Sequence, residues 1–464
     1  MGVCVGKERK DLRKDSLSNT TSWCITGSRS KFQLEILKYY RICKQVGTGK
    51  FGVVREAYRL SNSERNDQGL DLAKAPKVAI KSTLKFRKIN ETEDSVKELG
   101  MLKCINHPRV LKLLEGFYDG CSVHIVTEYC EGKPLSEILA KSGPLNELQA
   151  SNAVRSILEA LNYLHGHNIV HRDLKLDNVM ICDEDDYSDL KLIDFGFSRF
   201  FKKGENLIHK IGTPMFIAPE VLKRNYSKEC DVWSLGVMTY FMLFGSGPFI
   251  SSSQEMLFDE IRHFRPSFSK QKRQKISPEA IDLVSEMMTV NPSRRISVEK
   301  ALKHPWISKF QERAQVPYEI WNSLVSCKKS FALVEETKKS ICKYLPTFRL
   351  KKYTRAFNAL DKSKKGFVSS QDLKEAGPPN EVESALLNLT GSRKGVLYFN
   401  EFLVGAFDYK QDLQDKELLA AFKSFDMDND GLLNYEDLQS LSGVPDLELP
   451  VNFEQFKEVF YKHV

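Results

Sequence analysis

The chain has little of what secreted, membrane-spanning or zinc-stapled proteins require. Its ten cysteines are scattered and no Cys-x-x-Cys pair occurs. Neither a disulfide framework nor a zinc ribbon is therefore expected, and reduced thiols in a cytoplasmic protein are the economical reading. No stretch approaches the ~20 apolar residues of a membrane-spanning helix, and the first residues lack the apolar segment of a secretory signal. An excess of one charge sign is also missing. The net charge is +8 from 69 basic and 61 acidic residues, which permits acidic partners or an anionic membrane surface but demands neither; no nucleic-acid partner is expected. What is present fits a soluble globular chain, 41% hydrophobic and 28% charged. At 464 residues it is too long for one core, so two or three domains are expected.

Residues 1–39 are charged, then Ser/Thr-rich, with little apolar periodicity, and read as a disordered extension. It begins Met1-Gly2-Val3-Cys4-Val5-Gly6. Gly2 could carry a myristoyl group and Cys4 a palmitoyl group, attaching the protein peripherally to membranes. Gly6 stands where the acylation pattern has Ser or Thr, so an ordinary tail is the alternative. From Tyr40 to about Gly132 short β-type runs dominate, such as Val78-Ala79-Ile80 and His124-Ile125-Val126, with a long polar loop over 61–77. Helical periodicity takes over to about 307, as in Ala153, Ile157, Leu161 and Leu164. Over 308–346, Phe331, Val334, Ile341 and Leu345 recur near helical spacing among Lys328, Lys329, Lys338, Lys339 and Lys343. This is a basic amphipathic helix of the kind that calcium-binding lobes capture; a plain surface helix is the alternative. Residues 347–464 repeat a helix-loop-helix rhythm.

Gly47-Thr48-Gly49-Lys50-Phe51-Gly52-Val53-Val54 lies between two β-type runs, where missing side chains let amides approach phosphate oxygens. No helix pattern opens at Gly52, and Val78-Ala79-Ile80-Lys81 follows, which separates this loop from a dinucleotide-binding turn. The nucleotide-binding set is Val46, Gly47, Thr48, Gly49, Lys50, Phe51, Gly52, Val53, Val54, Ala79 and Lys81. Lys81 would hold the α and β phosphates, with Glu98 fixing its ammonium. Then come His171-Arg172-Asp173-Leu174-Lys175-Leu176-Asp177-Asn178 and Asp194-Phe195-Gly196. Phosphoryl transfer asks for positioning and charge neutralisation. Asp173 would accept the proton of the attacking hydroxyl and Lys175 would neutralise charge on the moving group. Asn178 and Asp194 would hold magnesium through hard oxygens.

At these residues the chain resembles eukaryotic serine/threonine protein kinases over Ile42 to Ile307. Gly212-Thr213-Pro214, Ala218-Pro219-Glu220, Asp231-Val232-Trp233-Ser234-Leu235-Gly236 and Arg295, as partner of Glu220, agree. The resemblance implies two lobes with ATP between them. Adenine would meet backbone groups at Glu128 and Cys130. Thr127 at the back of the pocket would leave room for bulky inhibitors. Two departures stand out. Pro134 occupies a position where kinases choosing basic substrates carry an acid, although Asp177 keeps the second acid of that pair. Between Arg199 and Gly212 there is no Ser or Thr, so activity should not need activation-loop phosphorylation, and Glu205 is the expected fixed negative partner of Arg172.

Asp426-Met427-Asp428-Asn429-Asp430-Gly431 opens a calcium loop with oxygen ligands at positions one, three and five, glycine at six and the Leu432 carbonyl at seven. Leu433 is the buried eighth residue, and Asn434 at nine acts through water. Position twelve is Asp437 rather than glutamate; one methylene shorter, it should lower calcium affinity and weaken selectivity over magnesium. The other hands are eroded. The loop 361–372 keeps Asp361, Ser363 and Gly366 but has Lys365 at a ligand position. The loop 390–401 has Lys394 where an acid is wanted. Val451-Asn452-Phe453 resembles the exit of a fourth loop without acids. From about residue 40 onward the chain is similar to calcium-dependent protein kinases. The expected fold class is α+β, a two-lobed kinase fold followed by an all-α EF-hand domain, divided 40–307, 308–346 and 347–464. The family implies ATP, Mg2+ and Ca2+ as cofactors, protein Ser/Thr as acceptor, and a junction helix that inhibits the kinase until the EF-hand lobe captures it. A kinase that no longer answers calcium, and a calcium-binding scaffold with a silent kinase fold, are the alternatives. The presence of Lys81, Glu98, Asp173, Asn178 and Asp194 disfavours the last.

Overall fold

The computed structural model describes residues 35–49, 52–60, 75–84, 89–118, 122–202, 204–265, 268, 276–310, 316–327, 332–376, 395–428, 430–439 and 449–464. Gly2, Cys4, Lys50, Phe51, most of the loop over 61–77, Lys328, Lys329, Phe331, Thr390, Lys394 and Asn429 lie outside them.

Alternating strands build the first lobe. Strands β1 (Tyr40–Gly49), β2 (Gly52–Arg59), β3 (Lys77–Leu84), β4 (Leu113–Tyr118) and β5 (Ser122–Glu128) form one antiparallel sheet in the order β1-β2-β3-β5-β4. The hairpin closes at Gly49 opposite Gly52. Helix α1 (Glu35–Tyr39) precedes it. It corrects the reading of 1–39 as wholly disordered. Ile36 and Tyr40, four residues apart, pack with Ala57, Val78, Ile80, Leu114 and Val126 in a small core of their own, so the apolar pair has a face to bury. Helix α2 (Ile89–Lys103) buries Ser95, Glu98, Met101 and Leu102, one helical stripe. The Ser95 hydroxyl donates to Thr83 Oγ1 at 3.0 Å, tying α2 to β3.

The second lobe is helical. Helix α3 (Leu135–Ser142) leads into α4 (Glu147–Gly166), whose start is fixed by a reciprocal capping box between Asn146 and Gln149. The helix Glu229–Phe244 is apolar on all sides and buried along its length, as expected of a helix at the centre of a core. Arg295 grips Glu220 through two bonds of 2.5 and 2.9 Å in a fully buried pair.

The third unit is not purely helical. Phe367–Ser369 pairs with Val396–Tyr398, and Leu432–Leu433 with Val451–Asn452. The buried residues Val368 and Leu397 put their extended backbones side by side, as do Leu433 and Val451. The unit also reaches further back than residue 347. Helices Tyr318–Ser326 and Ala332–Tyr344 contribute Ile320, Trp321, Leu324, Leu333, Val334, Ile341 and Cys342 to one core with Phe357, Phe402, Phe422 and Phe460. Each such side chain contributes roughly 1.5–3 kcal/mol on burial, whereas an exposed pair such as Lys339–Glu336 contributes about 0–1 kcal/mol. Apolar burial therefore holds the junction helix. Lys338 was expected on a basic face; instead it is buried over the Tyr409 ring and beside Glu335.

The C-terminal end of the junction helix touches the first lobe. Tyr344 donates its hydroxyl to Glu115 at 2.7 Å and lies under the Arg59 guanidinium. Lys112 donates to the Cys342 carbonyl at 2.9 Å. Lys351 pairs with Asp183 and Arg355 with Asp186 on the second lobe.

Candidate active site and calcium loop

Antiparallel register brings Lys81 on β3 opposite Ile125 and next to the cleft. Its ammonium lies 2.8 Å from Glu98 Oε1 and 3.0 Å from Asp194 Oδ1. Burial alone would lower the Lys81 pKa, but the two carboxylates outweigh it and raise it above the usual lysine value. Burial likewise pushes Asp194 up, and Lys81 more than reverses this, leaving the carboxyl below its usual range. Both groups are thus charged at neutral pH.

Asp173 sits at the end of a loop whose shape is set from below. Asp231, on the central helix, accepts the amides of His171 and Arg172 at 2.9 Å each, and the His165 ring at 2.9 Å. Burial raises the Asp231 carboxyl, but the His165 and His171 contacts hold it below its usual value. Arg172 and Asp194 have φ of 70° and 62°, a left-handed conformation costing on the order of 1–3 kcal/mol in each case. Asp231 offsets the first and Lys81 the second. Around Asp173, the Thr213 hydroxyl donates to Oδ1 at 2.9 Å, Lys175 stands 3.4 Å from Oδ2, and the Asn178 amide donates to the Asp173 carbonyl at 2.9 Å. The Asn178 nitrogen is thereby committed, leaving its amide oxygen, with the Asp194 carboxylate, as a hard donor set suited to magnesium.

Of the residues expected to bind nucleotide, Val46, Gly47, Thr48, Gly49, Gly52, Val53, Val54 and Ala79 lie on β1, β2 and β3, as does Lys81. Thr127 is buried at the end of β5. The Glu128 carboxylate is taken by Lys191 at 2.7 Å and the Lys112 amide at 2.8 Å, so Glu128 could meet adenine only through its backbone. Cys130 follows, its thiol pushed up by burial. At the substrate edge Asp177 accepts from Ser136 at 2.9 Å.

Glu205 does not meet Arg172. It pairs with Arg199 at 3.4 Å and accepts the Lys202 amide at 3.1 Å, because a partner six residues away closes a short loop at little entropic cost. Arg172 instead donates to the Phe197 carbonyl at 2.6 Å and to the Tyr226 hydroxyl at 3.4 Å, and Tyr226 donates to the His209 carbonyl at 2.8 Å. Neutral acceptors satisfy the arginine and tie it to the activation segment. Nothing local in the sequence marks Tyr226 for this. Phosphatase-treated protein from bacterial expression is expected to keep full activity. Glu205→Ala is expected to change kcat by no more than about fivefold, since an exposed ion pair contributes about 0–1 kcal/mol. Loss of peptide phosphorylation after phosphatase treatment would overturn this account.

In the calcium loop the Asp426, Asp428 and Asp430 carboxylates lie within 4.8 Å of one another. Gly431, with φ of 86°, turns the chain so that its amide reaches Asp426 Oδ2 at 3.1 Å, and the Leu432 amide reaches Asp430 Oδ1 at 2.8 Å. Three convergent carboxylates fit a hard dication. Asp437 holds the Met427 amide on one oxygen and the Asn434 amide on the other, each at 2.9 Å. The short acid thus bridges the two ends of the loop. Helix Asp415–Phe425 enters the loop, while its exit is a turn over 435–439 rather than the expected helix. In the first hand, Asp361 accepts from Ser363, Lys365 and Gly366, and Lys365 stands at a ligand position. Burial pushes the Asp361 carboxyl up.

The cleft and the loop together define a protein kinase joined to an EF-hand module. A protein kinase domain model matches residues 40–307 and an EF-hand model residues 419–442. The chain is 31% identical to calcium-dependent protein kinase 13 of Arabidopsis thaliana over 86% of this chain and 76% of that protein. It is 32% identical to calcium-dependent protein kinase 22 of Oryza sativa subsp. japonica over 87% and 71%. Identity to calcium-dependent protein kinase 3 of Plasmodium yoelii yoelii is 30% over 92% and 79%. The chain belongs to the calcium-dependent protein kinase family.

Proposed function

We propose that this chain is a calcium-regulated serine/threonine protein kinase whose junction helix, Ala332–Tyr344, is the element that calcium moves. ATP would lie under the β1–β2 hairpin, with Lys81 orienting its phosphates. Magnesium, held by Asn178 and Asp194, would neutralise phosphate charge. Asp173, fixed by Thr213 and Lys175, would orient the acceptor hydroxyl and take its proton, and Lys175 would offset charge on the transferred group. The observation that carries the reading is a conjunction. The Lys81–Glu98 pair is closed at 2.8 Å while the junction helix is buried in the EF-hand core. This arrangement is what release from autoinhibition requires. Loss of calcium would loosen the lobe's hold on the helix and free its lysines to obstruct the kinase.

The test is phosphorylation of a Ser-containing peptide by the full chain in calcium and in chelator. Transfer in calcium that falls in chelator supports the proposal. Equal transfer in both buffers marks a calcium-insensitive kinase, a reading favoured by Asp437, whose two oxygens are already engaged. Transfer in neither leaves a silent scaffold.

A further inference from the structure

The eroded first hand does something besides keep its shape. Its loop, 361–372, lies against α4 of the kinase. Lys364 takes a left-handed φ of 55°, which turns its carbonyl outward to accept from Asn162 Nδ2. The Lys364 ammonium lies 3.6 Å from Glu159, a buried acid one turn earlier on α4, and also reaches the Asn358 carbonyl. Gly366 sits on the Tyr163 ring. A Cβ there would overlap that ring and lie 2.8 Å from His107 Cδ2. The partner hand adds Tyr398, whose ring centroid is 6.4 Å from that of His167. Glu159, Asn162 and Tyr163 fall on one stripe of α4, at the spacing of a single helix face, and His167, the residue that caps the helix, continues it.

Two features here are independent of a cation. Lys365 occupies a ligand position, and the residue before it forms an ion pair with the kinase. We infer that the loop 361–372 has exchanged calcium binding for kinase binding. It is a calcium-independent plug that seats the EF-hand lobe on the stripe Glu159, Asn162, Tyr163 and His167. The lobe is then divided by task. The first pair of hands anchors it, and among the described residues the loop 426–437 is left to sense calcium. This inference stands apart from the proposed phosphotransfer, because neither the contact nor its test involves catalysis.

Lysine acetylation of the full chain, read by mass spectrometry, tests it with an internal control. Lys364 is 18% exposed, shielded by the kinase, whereas Lys362 in the same loop is 49% exposed. Lys364 is expected to react several-fold more slowly than Lys362, equally in calcium and in chelator. Asn162→Leu, which removes the donor to the loop from the kinase side, is expected to bring the Lys364 rate up toward that of Lys362 and leave Lys362 unchanged. Lys364→Asn, compatible with the left-handed backbone, is expected to weaken the seating, read as a larger radius of gyration by small-angle scattering. Calorimetry of Asp426→Asn is expected to show no remaining calcium site. Protection of Lys364 that disappears in chelator, protection that survives Asn162→Leu, or a residual calcium site abolished by Asp361→Asn would each overturn the inference.

Discussion

Asp173→Asn is expected to lower kcat by about 10²–10⁴-fold, the usual contribution of a positioned proton acceptor, with little change in the KM for ATP. The argument is geometric. Asparagine keeps the side-chain shape and one oxygen, so the Thr213 hydroxyl still has an acceptor, and the bond from Asn178 to the residue 173 carbonyl is untouched. What would be lost is the negative charge proposed to orient the attacking hydroxyl and receive its proton. Lys175, 3.4 Å from Oδ2 in the native chain, also loses its anion, so charge compensation at the moving group is disturbed together with proton transfer. The Lys81–Glu98–Asp194 cluster lies on other elements and would keep its geometry. Steady-state kinetics on a Ser-containing peptide, with nucleotide affinity measured separately by calorimetry, distinguishes the outcomes. Activity within a few-fold of native would remove Asp173 from the mechanism; loss of nucleotide affinity would show that the substitution had disturbed the cleft itself.

Much of the candidate site was readable because its residues cluster in the sequence. Asp173, Lys175 and Asn178 fall within six residues, although the shape of the loop that carries them is set by Asp231, far along the chain. Lys81 and Glu98 are seventeen residues apart, yet the β-strand and helix patterns on either side place each on an inward face. The readings that failed depend on packing between distant segments. Glu205 was expected near Arg172 on charge alone, but charge does not report that Arg199 is closer along the chain, nor that the Tyr226 hydroxyl lies between Arg172 and the His209 carbonyl. Helix Tyr318–Ser326 carries Ile320, Trp321 and Leu324 at helical spacing, a signal present in the sequence but too short to stand out. Helix α1 rests on two apolar residues, Ile36 and Tyr40, which only a ready-made sheet can bury. In the loop 361–372 the lysines imply that a cation is disfavoured. That Lys364 meets Glu159 instead, 205 residues earlier in the chain, has no signature within the loop.

The calcium loop gives the second large effect, and here two substitutions should act in opposite directions. Asp426→Asn is expected to abolish calcium binding by the loop and hold kinase activity at its chelator level in any buffer. Asparagine still accepts the Gly431 amide through its side-chain oxygen, so the turn survives, but the site loses one of three carboxylates crowded within 4.8 Å. Removing a like charge relieves repulsion, so thermal stability in chelator should be kept or slightly raised. That separates loss of a ligand from loss of fold. Asp437→Glu should do the reverse. The aspartate is held by amides at both ends of the loop, 2.9 Å from each, and a dication must compete with both. Glutamate can keep an oxygen on the Asn434 amide as a helix-start cap does and extend far enough to grip calcium with both oxygens. Affinity is expected to rise by roughly tenfold, about 1.4 kcal/mol, and the calcium concentration for half-maximal activity to fall with it. Titration calorimetry and activity against buffered free calcium measure the two quantities independently. If affinity rises while the activation midpoint stays fixed, the loop binds calcium without governing the kinase, and control must lie in the burial of Leu333, Val334 and Ile341 rather than in the occupancy of the loop.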